Sequence, residues 1–122
     1  MLVKAYEILA KSDSNHIPSM LKLFSKTGME VCEGQQLDMN FETQTDVSVE
    51  EYIHMITYKT AVLLGCSLQM GAINANASKE NQEHIYNFGK HVGIAFQILD
   101  DVLDVYADDD KFGKQVGGDI IS

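Results

Sequence analysis

The sequence has no arginine, no tryptophan, a single proline (Pro18) and only two cysteines. Each shortage narrows what the chain can be. Without arginine, its nine basic residues are all lysines, set against eighteen acids, and the formal charge is −9. A chain of that sign lacks the basic surface that nucleic acid requires and has no attraction to anionic lipid. Cys32 and Cys66 each stand alone in apolar surroundings, outside any Cys-x-x-Cys or Cys/His cluster, which points away from zinc. Both read as buried free thiols of a reducing compartment, so the expected location is cytoplasmic. The first residues, Met1-Leu2-Val3-Lys4, show none of the three parts of a signal peptide. The uncharged run from Thr60 to Ser78 is long enough to raise the question of a membrane span. It carries Ser67, Gln69, Asn74, Asn76 and two glycines, and reads as a buried helix instead.

No stretch alternates apolar and polar residues. Apolar residues recur at three and four, so the expected fold class is all-α. At 122 residues the length prior allows one domain. The spacing predicts a first helix over 2–12, a second over about 19–41 and a third from Ser48 to about Ala77, kinked near Gly65 or Gly71. A fourth runs over about 79–106. Asp13 to Pro18 reads as a turn. Ser48 and Glu51 have the spacing of a capping box, and Ser78 suits the cap of the fourth helix.

Seven of the eighteen acids lie at or after Asp100, which points to a cation site as well as to solubility. In Gly93-Ile94-Ala95-Phe96-Gln97-Ile98-Leu99-Asp100-Asp101-Val102-Leu103-Asp104, helical spacing aligns Gln97, Asp100, Asp101, Asp104 and Asp108 in one stripe. Ile85, Phe88, Val92, Phe96, Leu99, Leu103 and Tyr106 form another on the far side. Like charges so close repel by a few tenths of a kcal/mol per pair; the face must be solvated or neutralised by a cation. A loop with glycines and two lysines follows, from Ala107 to Ile120. Clustered carboxylates beside lysines suit a magnesium–diphosphate site, because Mg²⁺ is commonly held by one or two carboxylates, waters and substrate phosphates. His84 and His91 are seven apart on the same helix, with no third ligand in view.

The run Gly-x-x-Phe-Gln-x-x-Asp-Asp-x-x-Asp, followed by Gly-Lys-x-x-Gly-x-Asp-Ile, resembles the second aspartate-rich region of the trans-type polyprenyl diphosphate synthases. These make farnesyl, geranylgeranyl and longer isoprenoid chains. Gly34-Gln35-Gln36-Leu37-Asp38 resembles a cavity-facing element of the same family, and Lys59-Thr60 resembles its Lys-Thr or Lys-Ser pair. The resemblance implies part of an isoprenoid-synthase-type helical bundle that works with Mg²⁺. Its substrates would be an allylic diphosphate and isopentenyl diphosphate, with pyrophosphate released and the full-length protein a homodimer. Carried over residue by residue, Asp100, Asp101 and Asp104 are the metal candidates. Lys59 and Lys114 would bind the allylic diphosphate, and Thr60 and Gln97 would hydrogen-bond near the leaving group. Phe96 faces either the hydrocarbon cavity or the core. Gln35 and Asp38 complete the substrate-binding candidates.

Two departures qualify the resemblance. A second aspartate-rich motif is absent, and so are the arginines that the family uses for isopentenyl diphosphate. The chain is therefore expected to be a central-to-late fragment of a synthase domain, not competent alone. Alternative readings are a non-catalytic Mg–diphosphate-binding subunit of a heteromeric synthase and a plain acidic bundle that binds cations weakly. The terminal Gly-Lys-x-x-Gly-x-Asp-Ile favours the prenyl synthases over the related terpene cyclases.

Overall fold

The computed structural model describes residues 1–107, and every structural statement below concerns those residues. The expected all-α class is found. Helices α1 (Leu2–Ala10) and α2 (Ile17–Phe41) are followed by α3 (Val49–Ile56), a π-helical turn (Thr57–Ala61), α4 (Val62–Asn74) and α5 (Lys79–Val105). Lys114 and Asp108, with the glycine- and lysine-bearing loop, lie outside the described residues.

Local chemistry sets the ends. Asp13 accepts a hydrogen bond from the Asn15 amide at 3.0 Å, which closes the first turn. Pro18 sits in the first turn of α2, where its missing N–H costs nothing and its φ suits a helix. The capping box forms as expected: the Ser48 hydroxyl accepts from the Glu51 amide, and the Glu51 carboxylate accepts from the Ser48 amide. The Gln44 side chain and these Ser48 contacts hold the Glu51 carboxyl below the ordinary glutamate range. The Ser78 hydroxyl caps α5 by accepting from the Asn81 amide at 3.2 Å. After α4 the chain turns through Asn76, which adopts a left-handed φ of 60°. Asparagine tolerates that conformation better than most residues.

The predicted third helix is interrupted, earlier than its glycines suggested. Five residues, Thr57 to Ala61, take the wider π winding, while Gly65 and Gly71 lie within continuous α4. The glycines serve close packing instead. A Cβ on Gly34 would lie 2.4 Å from the Lys59 backbone nitrogen, and one on Gly93 would lie 2.8 Å from the Ala61 Cα. Gly65 and Gly89 meet across α4 and α5, where a Cβ on Gly89 would be 3.0 Å from the Gly65 Cα. Residues without side chains thus let α2 and α5 press on the π turn from two sides.

Two apolar clusters flank this contact. One gathers Leu9, Met20 and Ile73, and the other Phe41, Met55 and Ile56. In α1 only Leu9 is buried. Cys66 is buried as expected, and burial pushes its thiol pKa up although the neighbouring Thr27 hydroxyl pulls the other way. Cys32 is exposed, which corrects the expectation of two buried thiols: it falls on the outer side of α2, while Thr27 and Gly34 face inward. No described helix is long and apolar enough to cross a membrane.

Candidate functional site

The π turn carries Tyr58-Lys59-Thr60 between α2 and α5. Single π turns inside α-helices cluster at functional sites, because the wider winding changes the direction of the side chains they carry. Here two consecutive residues reach opposite neighbours. The Lys59 ammonium donates to Asp38 Oδ2 on α2 at 2.6 Å. The Thr60 hydroxyl donates to Gln97 Oε1 on α5 at 3.1 Å.

Gln97 passes the connection along its own helix, its Nε2 donating to Asp101 Oδ1 at 3.0 Å. The other Asp101 oxygen accepts from the Tyr52 hydroxyl of α3. Asp101 is 2% exposed and Asp104 is 5% exposed, while Asp100 faces solvent. Burying a carboxylate costs several kcal/mol unless donors replace the lost water. Gln97 and Tyr52 are those donors for Asp101. The carboxylate has roughly four acceptor positions, so these two bonds leave capacity for a cation or a further donor.

Two openings adjoin Asp101. A cavity of about 10 Å³ lies among Asp38, Met55, Ile56, Lys59, Gln97 and Asp101, room for about one water. On the other side a groove of about 270 Å³ runs past Val47, Tyr52, Ile98 and Val102. The carboxylate therefore stands between the lysine side of the site and an open groove.

The sequence candidates separate accordingly. Lys59, Thr60, Gln97, Asp101 and Asp38 are brought into one neighbourhood. Asp104 shares the inward face of α5 one turn further on. Asp100 and Gln35 face solvent. Phe96 is 64% exposed, so the core position considered for it is not found. It lies one residue from Gln97, about 100° around the helix, and the inward face is already taken by Gly93, Gln97 and Asp101. The histidines stay apart from the site. His54 and His84 are exposed beside Tyr58 and Glu80, and His91 contacts the Asn87 carbonyl. Tyr52 is the member that sequence reasoning passed over. It precedes Lys59 by seven residues, two helical turns, and that spacing was the available signal.

Among the described residues, no three of His, Cys, Asp and Glu gather into a metal cage. Magnesium needs no such cage, since one or two carboxylates with waters and phosphate oxygens suffice. Asp101 and Asp104, one turn apart on one inward face, fit that kind of ion.

Known proteins resemble the chain over its whole length. The family model described as polyprenyl synthetase matches residues 1–122. The short chain isoprenyl diphosphate synthase of Methanocaldococcus jannaschii is 42% identical over 121 residues, which is 98% of this chain and 37% of that protein. A crystal structure of a geranylgeranyl pyrophosphate synthase superposes with a TM-score of 0.88 at 52% identity, covering 98% of this chain and 36% of the other. The geranyltransferase of Helicobacter pylori, crystallised with magnesium and isoprenyl diphosphate, superposes with a TM-score of 0.80 at 31% identity, covering 96% of this chain and 40% of the other. The chain thus spans little more than a third of the length of the relatives it matches.

Proposed function

This chain belongs to the polyprenyl synthetase family, and from that premise we propose that it supplies one wall of a Mg²⁺-dependent prenyltransferase site. The reaction is the head-to-tail condensation of an allylic diphosphate with isopentenyl diphosphate, with release of pyrophosphate. The observation that carries this reading is the half-buried line Thr60–Gln97–Asp101–Tyr52 beside the Lys59 ammonium. It sets a cation, neutral hydrogen-bonding groups and an inward carboxylate around one opening.

Each residue has work suited to its chemistry. Lys59 binds a diphosphate oxygen and leaves its Asp38 partner as it does so; fixed positive charge stabilises the negative charge that builds on departing pyrophosphate. Asp38 holds the ammonium in place beforehand. Gln97 is anchored at both ends and keeps the Asp101 carboxylate oriented. The Thr60 hydroxyl fixes the Gln97 amide. Lys114 adds a second ammonium toward the same diphosphate, Gln35 and Phe96 stand at the outer margin of the substrate, and Asp100 joins the metal candidates from the solvent side. Asp101 and Asp104 would hold Mg²⁺, whose chemistry when bound is Lewis-acid stabilisation and orientation of the diphosphate.

The proposal extends to the setting. The stretch is a central-to-late part of a synthase domain, the whole enzyme is a cytoplasmic homodimer, and the 122-residue chain alone binds diphosphate without elongating it. Calorimetric titration of inorganic pyrophosphate with and without Mg²⁺ tests the site. Asp101→Asn is expected to weaken the Mg²⁺-dependent binding at least tenfold with helicity retained; unchanged Mg²⁺-dependent binding would sink the assignment. A product assay then separates the synthase fragment from an active short enzyme, since elongation by this chain alone contradicts the fragment reading.

A further inference from the structure

The far end of the bundle gathers lysines instead of aspartates. A groove of about 450 Å³ opens between the start of α2, the end of α4 and the start of α5. That volume lies within the range of small-molecule sites, roughly 300–1,000 Å³. Lys22, Lys26 and Lys79 line it, with Glu83 as the only acid among the lining residues. A third of the lysines of a chain with formal charge −9 therefore meet in one depression. Among the described residues, none of the three is in an ion pair. Lys22 and Lys26 are one turn apart on α2, where like charges repel. Lys79 opens α5, whose N-terminus adds partial positive charge.

The floor is not purely electrostatic. Leu23 and the Tyr86 ring line it, and the Lys26 ammonium lies 5.9 Å from the ring centroid. The aspartates do not cancel this local charge. Lys79 and Asp101 are separated by 22 residues of one helix, about 33 Å at 1.5 Å per residue. The screening length at physiological salt is only about 8 Å. The geometry points to a second anion site here, remote from the aspartates, for a ligand carrying two or more linked phosphates. Three lysines outside any ion pair line this depression against one lining carboxylate, with Glu80 and Glu30 on adjoining turns outside the lining, and the Tyr86 ring offers a flat contact for a base, should the diphosphate carry one. The site is independent of the prenyltransferase reading.

Its test excludes divalent metal. Inorganic pyrophosphate is titrated into the 122-residue chain in EDTA at low salt, followed by amide NMR spectra. Residues 19–26 and 79–87 are expected to move. The double substitution Lys22→Gln/Lys26→Gln should weaken binding at least tenfold with helicity unchanged, and Lys79→Gln should weaken it severalfold. Stronger binding of ADP, with movement of the Tyr86 ring resonances, identifies a nucleotide as the source; equal binding of the two identifies free diphosphate. No movement at these segments, or affinity untouched by the lysine substitutions, overturns the site. Because no Mg²⁺ is present, failure here leaves the Mg²⁺-dependent test of Asp101 standing, and the converse also holds.

Discussion

The two faces of α5 reverse the usual order of an amphipathic helix. Its inward face is Gly89, Gly93, Gln97, Asp101 and Asp104, two glycines, an amide and two carboxylates. Its outward face carries Phe88, Val92, Phe96, Leu99 and Leu103, all exposed. A helix normally hides its apolar stripe. Here close backbone contact at the glycines joins the side-chain packing of Ile94 and Ile98 on the Phe41–Met55–Ile56 cluster. Glycines draw α5 against Ala61 and Gly65, and the polar residues further along the same face are carried inward with them. The energy of burying the Asp101 carboxylate is met by the Gln97 and Tyr52 donors, so the inward face is costly and specified while the outward face contributes little to this fold.

That contrast can be broken most severely at the glycine contacts. Gly34→Ala places a methyl 2.4 Å from a backbone nitrogen that cannot rotate away. It should destabilise by about 3 kcal/mol, the upper part of the ordinary overpacking range. For a chain of 122 residues, each kcal/mol lowers the melting temperature by roughly 4 °C, so thermal unfolding followed by circular dichroism reads the effect directly. Tyr52→Phe comes next. It removes a donor from a buried carboxylate and should cost about 1–3 kcal/mol in denaturant unfolding. Phe96→Ser on the outward face should change stability by no more than about 0.5 kcal/mol. If Phe96→Ser destabilised more than Tyr52→Phe, the contrast between the faces would be wrong.

Much of the fold was legible because it rests on local rules. The four predicted segments, the capping box at Ser48 and the cap at Ser78 follow from spacing and from side chains that reach only a turn away. The π turn was not legible. Nothing in Thr57-Tyr58-Lys59-Thr60-Ala61 disfavours ordinary helix, and the wider winding accompanies Gly34 and Gly93 pressing from other elements. The same distinction divides the site. Lys59, Thr60, Gln97 and Asp101 could be proposed together because they sit in short motifs. The inward turn of Asp101 but not Asp100, and the outward turn of Phe96, depend on which face the glycines draw in. A stripe of large apolar residues is the stronger signal in sequence, and here it lies on the exposed side of the helix.

The most direct measurement is the difference between amide NMR spectra of the chain with pyrophosphate in the presence and absence of Mg²⁺. If the inward face of α5 and the π turn form one diphosphate–metal site, the movements that require Mg²⁺ will centre on Tyr52, Lys59, Thr60, Gln97, Asp101 and Asp104. Mg²⁺-dependent movements confined to Asp100 and the outer surface of α5, with Lys59 and Gln97 unmoved, would contradict it.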